Sequence, residues 1–274
     1  MNPMHPMLEV AVIAARAAAQ VIREAAENPA SFEIRQKQPN DFVTQVDLAS
    51  ERVILQTLLG AFPGHCVRSE ESAQPHGALG SDHVWIVDPL DGTANFIHGY
   101  PAYAVSIALS VCGRIEHGVV LDAVNGDLFH ASVGRGAWRN DHRLQVAKRH
   151  DLNGALLGTS CPYRPGPAFA PAMQMLAEVM GRVAGIRRSG SAALDLAWTA
   201  AGRTDGCFDL GLNAWDVAAG SLLVTEAGGQ VGNFHGGTDF METRECVAAN
   251  PDVFAALVEL LRPFSPGRTS SNAN

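Results

Sequence analysis

Apolar residues recur at helical spacing from Pro6 to about Glu27, at Leu8, Val10, Ala11, Ala14, Ala15, Ala18, Val21 and Ile22. With Pro3 and Pro6 ahead of them and Asn28-Pro29 behind, the spacing predicts one long amphipathic helix. A polar stretch from Arg35 to Asn40 leads into a second helical pattern through Leu48, Leu55, Leu58, Leu59 and Phe62. That pattern stops at Pro63-Gly64, and its first turn is expected to hold Thr44 and Asp47. From residue 84 the pattern changes to short apolar runs, VWIVD and AVSIALSV, followed by IEHGVVLDAV and DLFHASV around Asn125-Gly126, a hairpin signal. Beyond about residue 150, strand-like segments (ALLGTS, GCFDLGL, GGQVGNF, ECVAAN) alternate with helical ones at Phe169–Val183, Ala192–Ala201, Trp215–Ala227 and Asp252–Leu261. Such alternation predicts an α/β lobe, and the chain as a whole reads as helices layered on two sheets.

Composition narrows the class. A chain of 274 residues, 47% hydrophobic and 18% charged, can bury a large core as one domain or two fused lobes. The element pattern divides it into an N-terminal α+β lobe (1–150), a C-terminal α/β lobe (151–264) and a tail (265–274) expected to be disordered. A formal net charge of −8 argues against broad binding to nucleic acid or an anionic membrane, since both need a basic face. Cys66, Cys112, Cys161, Cys207 and Cys246 lie far apart with no CxxC spacing, which suggests neither a disulfide framework nor a zinc site and fits a reducing cytoplasm. The opening MNPMHPMLEV lacks the basic and long apolar segments of a secretory signal, and no stretch reaches transmembrane length.

The segment VWIVDPLDGTANF changes the picture most, because it delivers Asp88 and Asp91 where an apolar strand is expected to end. Pro89 fixes the backbone between them, and Gly92 permits a sharp turn into a helix opening at Thr93, whose backbone N–H groups would face an anion. An anion beside two carboxylates is repelled unless a cation intervenes, so the pattern points to a hard, oxygen-liganded ion such as Mg²⁺. Taken singly, Asp88-x-x-Asp91, Glu70-Glu71 and Trp215-Asp216 are each better read as surface or helix-opening acids. Ten histidines include no HExxH or close pair and none is assigned to metal.

In combination and in order, Asp47, Glu70-Glu71, DPLDGT (88–93) and WDVAAG (215–220) closely resemble the inositol monophosphatase family of lithium-sensitive phosphatases. The resemblance continues through NFIHGYPAYAVSIAL, GSAALDLAWTAAGRTDG and EAGG, covering about residues 8 to 261. It implies a layered αβαβα sandwich, a homodimer, and Mg²⁺-dependent hydrolysis of a small phosphomonoester, myo-inositol 1-phosphate first among candidates. Histidinol phosphate, fructose 1,6-bisphosphate and phosphoadenosine phosphate are the alternatives, with compact segments at 72–82 and 161–167 favouring a small polyol. Some bacterial members are also associated with the transcription antitermination machinery, which implies a protein-binding role beside catalysis.

By the same resemblance, two or three Mg²⁺ ions would be held by Glu70, Asp88, Asp91, Asp216 and the backbone carbonyl of Leu90, with Asp88 as the bridge. Thr93, hydrogen-bonded to Asp47, would orient and help deprotonate the attacking water, with Glu70 a second candidate base and Glu71 fixing the geometry from outside. The N–H groups of Gly92 and Thr93 would hold phosphate oxygens. Gly190, Ser191, Ala192, Asp209 and Asp216 would face the alcohol. The Asp209 position is commonly Glu in family inositol phosphatases, and the carboxylate here is shorter by one methylene. The lysine usually found in the family a few residues before the DFVT segment (41–44) corresponds to Gln36 or, one place along, Lys37, and neither is assigned to the site.

Overall fold

The structure is a computed structural model that describes residues 4–28, 33–38, 41–160 and 169–266, without the side chains of 35–38, 41 and 42. The expected polyol-favouring segment at 161–167 and the tail from 267 lie outside the described residues, as do the side chains of Gln36 and Lys37.

Helix α1 (Pro6–Ala26) opens with Pro6 at its first position and buries a stripe of Ala11, Ala14, Ala15, Ala18, Ala19 and Ile22. The small side chains let α2 (Gln45–Ala61) approach closely, and the two helices pack as a pair. Between them the chain forms a ribbon, β1 (Ile34–Gln38) antiparallel to β2 (Asp41–Thr44). Thr44 precedes α2 rather than lying in its first turn. It is the N-cap of a capping box whose third helical residue is Asp47.

The chain then builds an eight-stranded sheet. Its strands are β3 (Cys66–Ser69), β4 (His76–Gly77), β5 (His83–Asp91), β6 (Ala104–Val111), β7 (Arg114–Asp122), β8 (Leu128–Ser132), β9 (Ala137–Arg139) and β10 (His142–Arg143), with α3 (Thr93–His98) between β5 and β6. In space they run β10-β9-β8-β7-β6-β5-β3-β4, and β3 and β5 are parallel. Strand β6 is central and buried on both faces, which is why its sequence reads as a continuous apolar run rather than an alternating one. Asn125-Gly126 makes the β7–β8 turn as expected, with Gly126 at φ +74°.

A second sheet follows, ordered β12-β11-β13-β15-β14 and made of β11 (Leu156–Gly158), β12 (Gly185–Arg187), β13 (Gly206–Leu210), β14 (Gln230–Gly232) and β15 (Glu245–Ala249). Helices α4 (Phe169–Met180), α5 (Ala192–Ala200), α6 (Ala214–Glu226), α7 (Phe240–Thr243) and α8 (Pro251–Leu261) alternate with these strands. The α5–α6 pair lies between the two sheets, where Gly220 permits close contact with Leu196. One apolar core joins α1 and α2 to the first sheet, another joins both sheets to α5 and α6, and a third joins the second sheet to α4 and α8. The layers are therefore helix pair, sheet, helix pair, sheet, helix pair, the αβαβα sandwich implied by the family resemblance.

Strand β5 ends at Asp91, as expected of the segment that carries the two acids, but it is not regular between them. Its register against β6 shifts between Asp88, paired with Ser106, and Asp91, paired with Ala104, so one extra residue is accommodated as a bulge. In a regular strand, residues three apart point to opposite faces. The extra residue resets that alternation and returns Asp91 to the face of Asp88. Pro89 suits the bulge because it has no N–H to leave unpaired, and its carbonyl accepts the Ser50 hydroxyl from α2 at 2.7 Å.

Candidate active site

The site forms where the bulge of β5, the start of α3, the segment after β3, and the N-termini of α2, α5 and α6 meet. Asp47 is 1% exposed, and its two oxygens have separate tasks. Oδ2 accepts the Thr44 backbone N–H at 2.8 Å and the Thr44 hydroxyl at 2.6 Å, closing the α2 capping box. Oδ1 accepts the Thr93 hydroxyl at 2.8 Å across 46 residues of sequence. Burial raises the Asp47 pKa, and the hydrogen bonds from Thr44 and Thr93 partly offset it. The Thr93 hydroxyl also lies 3.1 Å from the Leu90 carbonyl, so one side chain bridges the base of α2 and the strand bulge.

Three aspartates are tied by one oxygen each to nearby protein donors. Asp88 Oδ1 accepts from the Leu90 N–H at 3.0 Å. Asp91 Oδ2 accepts from the Ser191 hydroxyl at 2.5 Å and from the Ala193 N–H at 2.8 Å, at the N-terminus of α5. Asp216 Oδ2 accepts from the Asn213 N–H at 2.6 Å, completing the capping box of α6. Asp88 is also hydrogen-bonded to the Glu70 side chain, and Asp91 accepts from the Ala192 N–H as well.

Electrostatics show that these acids share one environment. Asp88 titrates well above the usual carboxylate range, first because it is buried and then because Glu70, Asp91 and Asp216 place negative charge around it. Burial lifts Asp91 to about 6, against the hydrogen bonds from Ser191 and Ala193. Burial and the charge of Asp91 bring Asp216 to about 7. Glu70 is fixed by its N–H bonded to the Val87 carbonyl at 3.1 Å and acts directly on Asp88. Among the described residues, no three acids, histidines or cysteines converge tightly enough to form a preassembled cage. Four mutually repelling acids gathered in a buried centre, with the Leu90 carbonyl beside them, nevertheless fit hard divalent cations in chemistry and charge.

Among the residues expected to face the alcohol, Ser191 caps α5, accepting from the Leu194 N–H while donating to Asp91, so its hydroxyl serves the carboxylate. Gly190 stands at φ +85° against the Asn95 side chain, which in turn donates to the carbonyls of Ala102 and Ser189 at 2.6 and 2.8 Å and joins α3 to the α5 approach. Asp209, 3% exposed on β13, is drawn back onto the Ser160 N–H and the Thr159 hydroxyl, and burial lifts it to about 7. Sequence reasoning missed its neighbour Asp195, a fully buried acid on α5 whose two oxygens have no hydrogen-bond partner among the described residues. The available signal was one carboxylate inside the apolar run SAALDLAW. Ser50, Ala193 and Asn213 were also missed; each serves the site through a neighbour, and nothing in their local sequence marks that task.

A family model described as the inositol monophosphatase family matches residues 3–263. The Nus factor SuhB of Pseudomonas aeruginosa is 46% identical over 266 residues, covering 96% of this chain and 98% of its own. Among solved structures, extragenic suppressor protein suhB from Bartonella henselae superposes with a TM-score of 0.91 at 40% identity, covering 94% of this chain and 99% of its own. Inositol monophosphatase from Anabaena (Nostoc) follows at 0.81 and 34%, covering 93% and 95%. With the matched sequence spanning nearly the whole molecule and the same layered fold, the chain belongs to the inositol monophosphatase family.

Proposed function

We propose that the chain is a magnesium-dependent phosphatase that hydrolyses a small phosphomonoester, with myo-inositol 1-phosphate the leading substrate. The observation that carries this reading is the gathering of Glu70, Asp88, Asp91 and Asp216 beside the Thr93–Asp47 pair. Glu70, Asp88, Asp91, Asp216 and the Leu90 carbonyl would hold two or three Mg²⁺. When bound, Mg²⁺ lowers the pKa of a nucleophilic water and neutralises charge on the leaving alkoxide.

The chain's own residues then orient and exchange protons. Thr93 donates to Asp47, so its oxygen presents lone pairs to an incoming water, and Asp47, its pKa raised by burial, can accept the proton passed through it. Glu70 is the second candidate base, and Glu71 stabilises the segment that carries it. The N–H groups of Gly92 and Thr93 hold phosphate oxygens as charge builds on them. Gly190, Ser191 and Ala192 shape the alcohol side. Asp209 forms its wall, and its withdrawal onto Thr159 and Ser160 supports tolerance of several small phosphate esters rather than strict inositol recognition. Histidinol phosphate, fructose 1,6-bisphosphate and phosphoadenosine phosphate remain the competing substrates, and a cytoplasmic homodimer is the form expected to act.

Phosphate release from that panel, with Mg²⁺ and with EDTA, tests the reading, and ratios of kcat/KM assign the substrate. Mg²⁺-dependent release inhibited by Li⁺ and Ca²⁺ is expected. No Mg²⁺-dependent release from any member would overturn it. The name of the Pseudomonas relative, a Nus factor, favours a second role in binding transcription-complex proteins. An Asp88→Asn variant that retains such partners without turnover would separate the two roles. No helix among the described residues is long and apolar enough to cross a membrane, so a membrane-spanning role finds no support there.

A further inference from the structure

A chain of side chains outside the acid centre connects the Glu70 segment to α2. The Ser72 hydroxyl donates to Glu51 Oε2 at 3.0 Å. His76 Nε2 lies 2.7 Å from the same hydroxyl oxygen, and because the Ser72 proton is committed to Glu51, the histidine is the donor. Glu51 lies on α2 one turn beyond Asp47, and both are buried. One rigid helix thus grips Thr93 through Asp47 and Ser72 through Glu51, and Ser72 stands two residues from Glu70. At its other side Glu70 is pinned by its own N–H to Val87.

Glu51 is an expensive choice for a simple loop clip. Its Oε1 is buried with no hydrogen-bond partner among the described residues, a desolvation that an apolar side chain would avoid. What the carboxylate gains is a charge-assisted bond that holds Ser72 more firmly than a neutral acceptor.

We propose that Glu51 is a positioning residue for Glu70: through Ser72, backed by His76, it fixes the height of the Glu70 segment over Asp88 and so sets the affinity of the divalent cation these two acids share. The consequence for catalysis rests on the phosphatase reading; the measurement does not. Mg²⁺ binding is followed without substrate, by calorimetry and by the rise in melting temperature on Mg²⁺ addition, for Ser72→Ala, Glu51→Leu and Glu51→Gln. Ser72→Ala and Glu51→Leu are expected to weaken Mg²⁺ binding at least fivefold. Glu51→Gln, which keeps an acceptor but loses the charge, recovers only part of it, and the Ser72→Ala/Glu51→Leu double variant is no weaker than either single one because both cut the same chain. In turnover, the Mg²⁺ half-saturation point moves by the same factor while the limiting rate changes less. Ser72 is half-exposed on a loop, so Ser72→Ala keeps the test open if Glu51→Leu fails to fold. Unchanged Mg²⁺ affinity in a folded Ser72→Ala variant, or additive losses in the double variant, would overturn the proposal. Mg²⁺ binding that shifts as expected in a chain without phosphatase activity would refute the functional reading alone.

Discussion

Ser191 and Asp91 stand 100 residues apart in sequence and meet at 2.5 Å, hydroxyl to carboxylate. The same hydroxyl oxygen caps α5 by accepting from Leu194, so a helix start in the second half of the chain orients an acid on a strand of the first. Ser191→Ala is therefore expected to lower stability by about 1 kcal/mol through the lost cap. It should also raise the Mg²⁺ concentration needed for half-maximal turnover several-fold, because Asp91 retains only backbone donors. Chemical denaturation and Mg²⁺ titration of the variant measure the two effects separately.

Removing charge from the centre should stabilise the metal-free protein while abolishing its chemistry. In Asp216→Asn the amide oxygen can still accept from Asn213 and keep the α6 capping box, but one of the three charges that raise Asp88 is gone. The melting temperature in EDTA is expected to rise by about 2–4 °C per kcal/mol of relieved repulsion, the stabilisation by Mg²⁺ to shrink, and Mg²⁺-dependent turnover to vanish. Asp91→Asn should likewise abolish turnover.

Thr93→Val keeps the volume of the side chain and removes the hydroxyl that donates to Asp47, the group that would orient the attacking water under the phosphatase reading. A fall in kcat of about 10²–10⁴ is expected, the range of a lost acid–base contribution. Stabilisation by Mg²⁺ should persist, since no cation ligand is lost. Thr93→Ser should restore most of the rate, and steady-state kinetics with thermal melts in Mg²⁺ decide.

The pH dependence without metal follows from the raised acids. Asp209 and Asp216 titrate near 7 in the fold and near 3.8 as unperturbed groups, so at neutral pH the folded state binds more protons than the unfolded one. Stability from these groups is full below about pH 3.8 and is lost progressively as pH rises from there through about 7. His117 acts oppositely: burial, then His5 and Arg135, push it down to about 4, so its contribution is lost as pH falls from 6.5 toward 4. The acids dominate between about pH 6.5 and 7.5, where metal-free stability should fall by about 1–2 kcal/mol, within the linkage limit of about 1.4 kcal/mol per proton per pH unit. Saturating Mg²⁺ should flatten or reverse this slope. Denaturant melts in EDTA and in Mg²⁺ across that interval make the comparison.

Gly92 sits at φ +96°, and a β-carbon there would meet the Ala102 carbonyl oxygen at 2.9 Å and Tyr103 Cβ at 3.2 Å. Gly92→Ala is expected to destabilise by about 1–3 kcal/mol and to displace Thr93, lowering kcat more than Mg²⁺ binding. Equilibrium unfolding and Mg²⁺ calorimetry on the same sample test both halves.

The long helices α1, α2, α5, α6 and α8 and the central strands β5 to β8 were legible in the sequence, because their periodicity or apolar run is a local property that burial merely exploits. The short strands β3, β4, β9, β10 and β12 and the polar ribbon of β1 and β2 were not, since segments of a few residues take their conformation from whichever strand lies beside them. Motifs in fixed order also named Glu70, Asp88, Asp91 and Asp216 as candidate metal-binding acids through the family resemblance they carry, and implied the Thr93–Asp47 hydrogen bond that the fold contains. Only the tertiary structure decided how those acids stand. The bulge at Pro89 returns Asp91 to the face of Asp88, Ser191 reaches Asp91 across 100 residues of sequence, and Asp209 turns back onto Thr159 and Ser160. Each depends on register or on contact between distant segments, and local pattern carries no record of either.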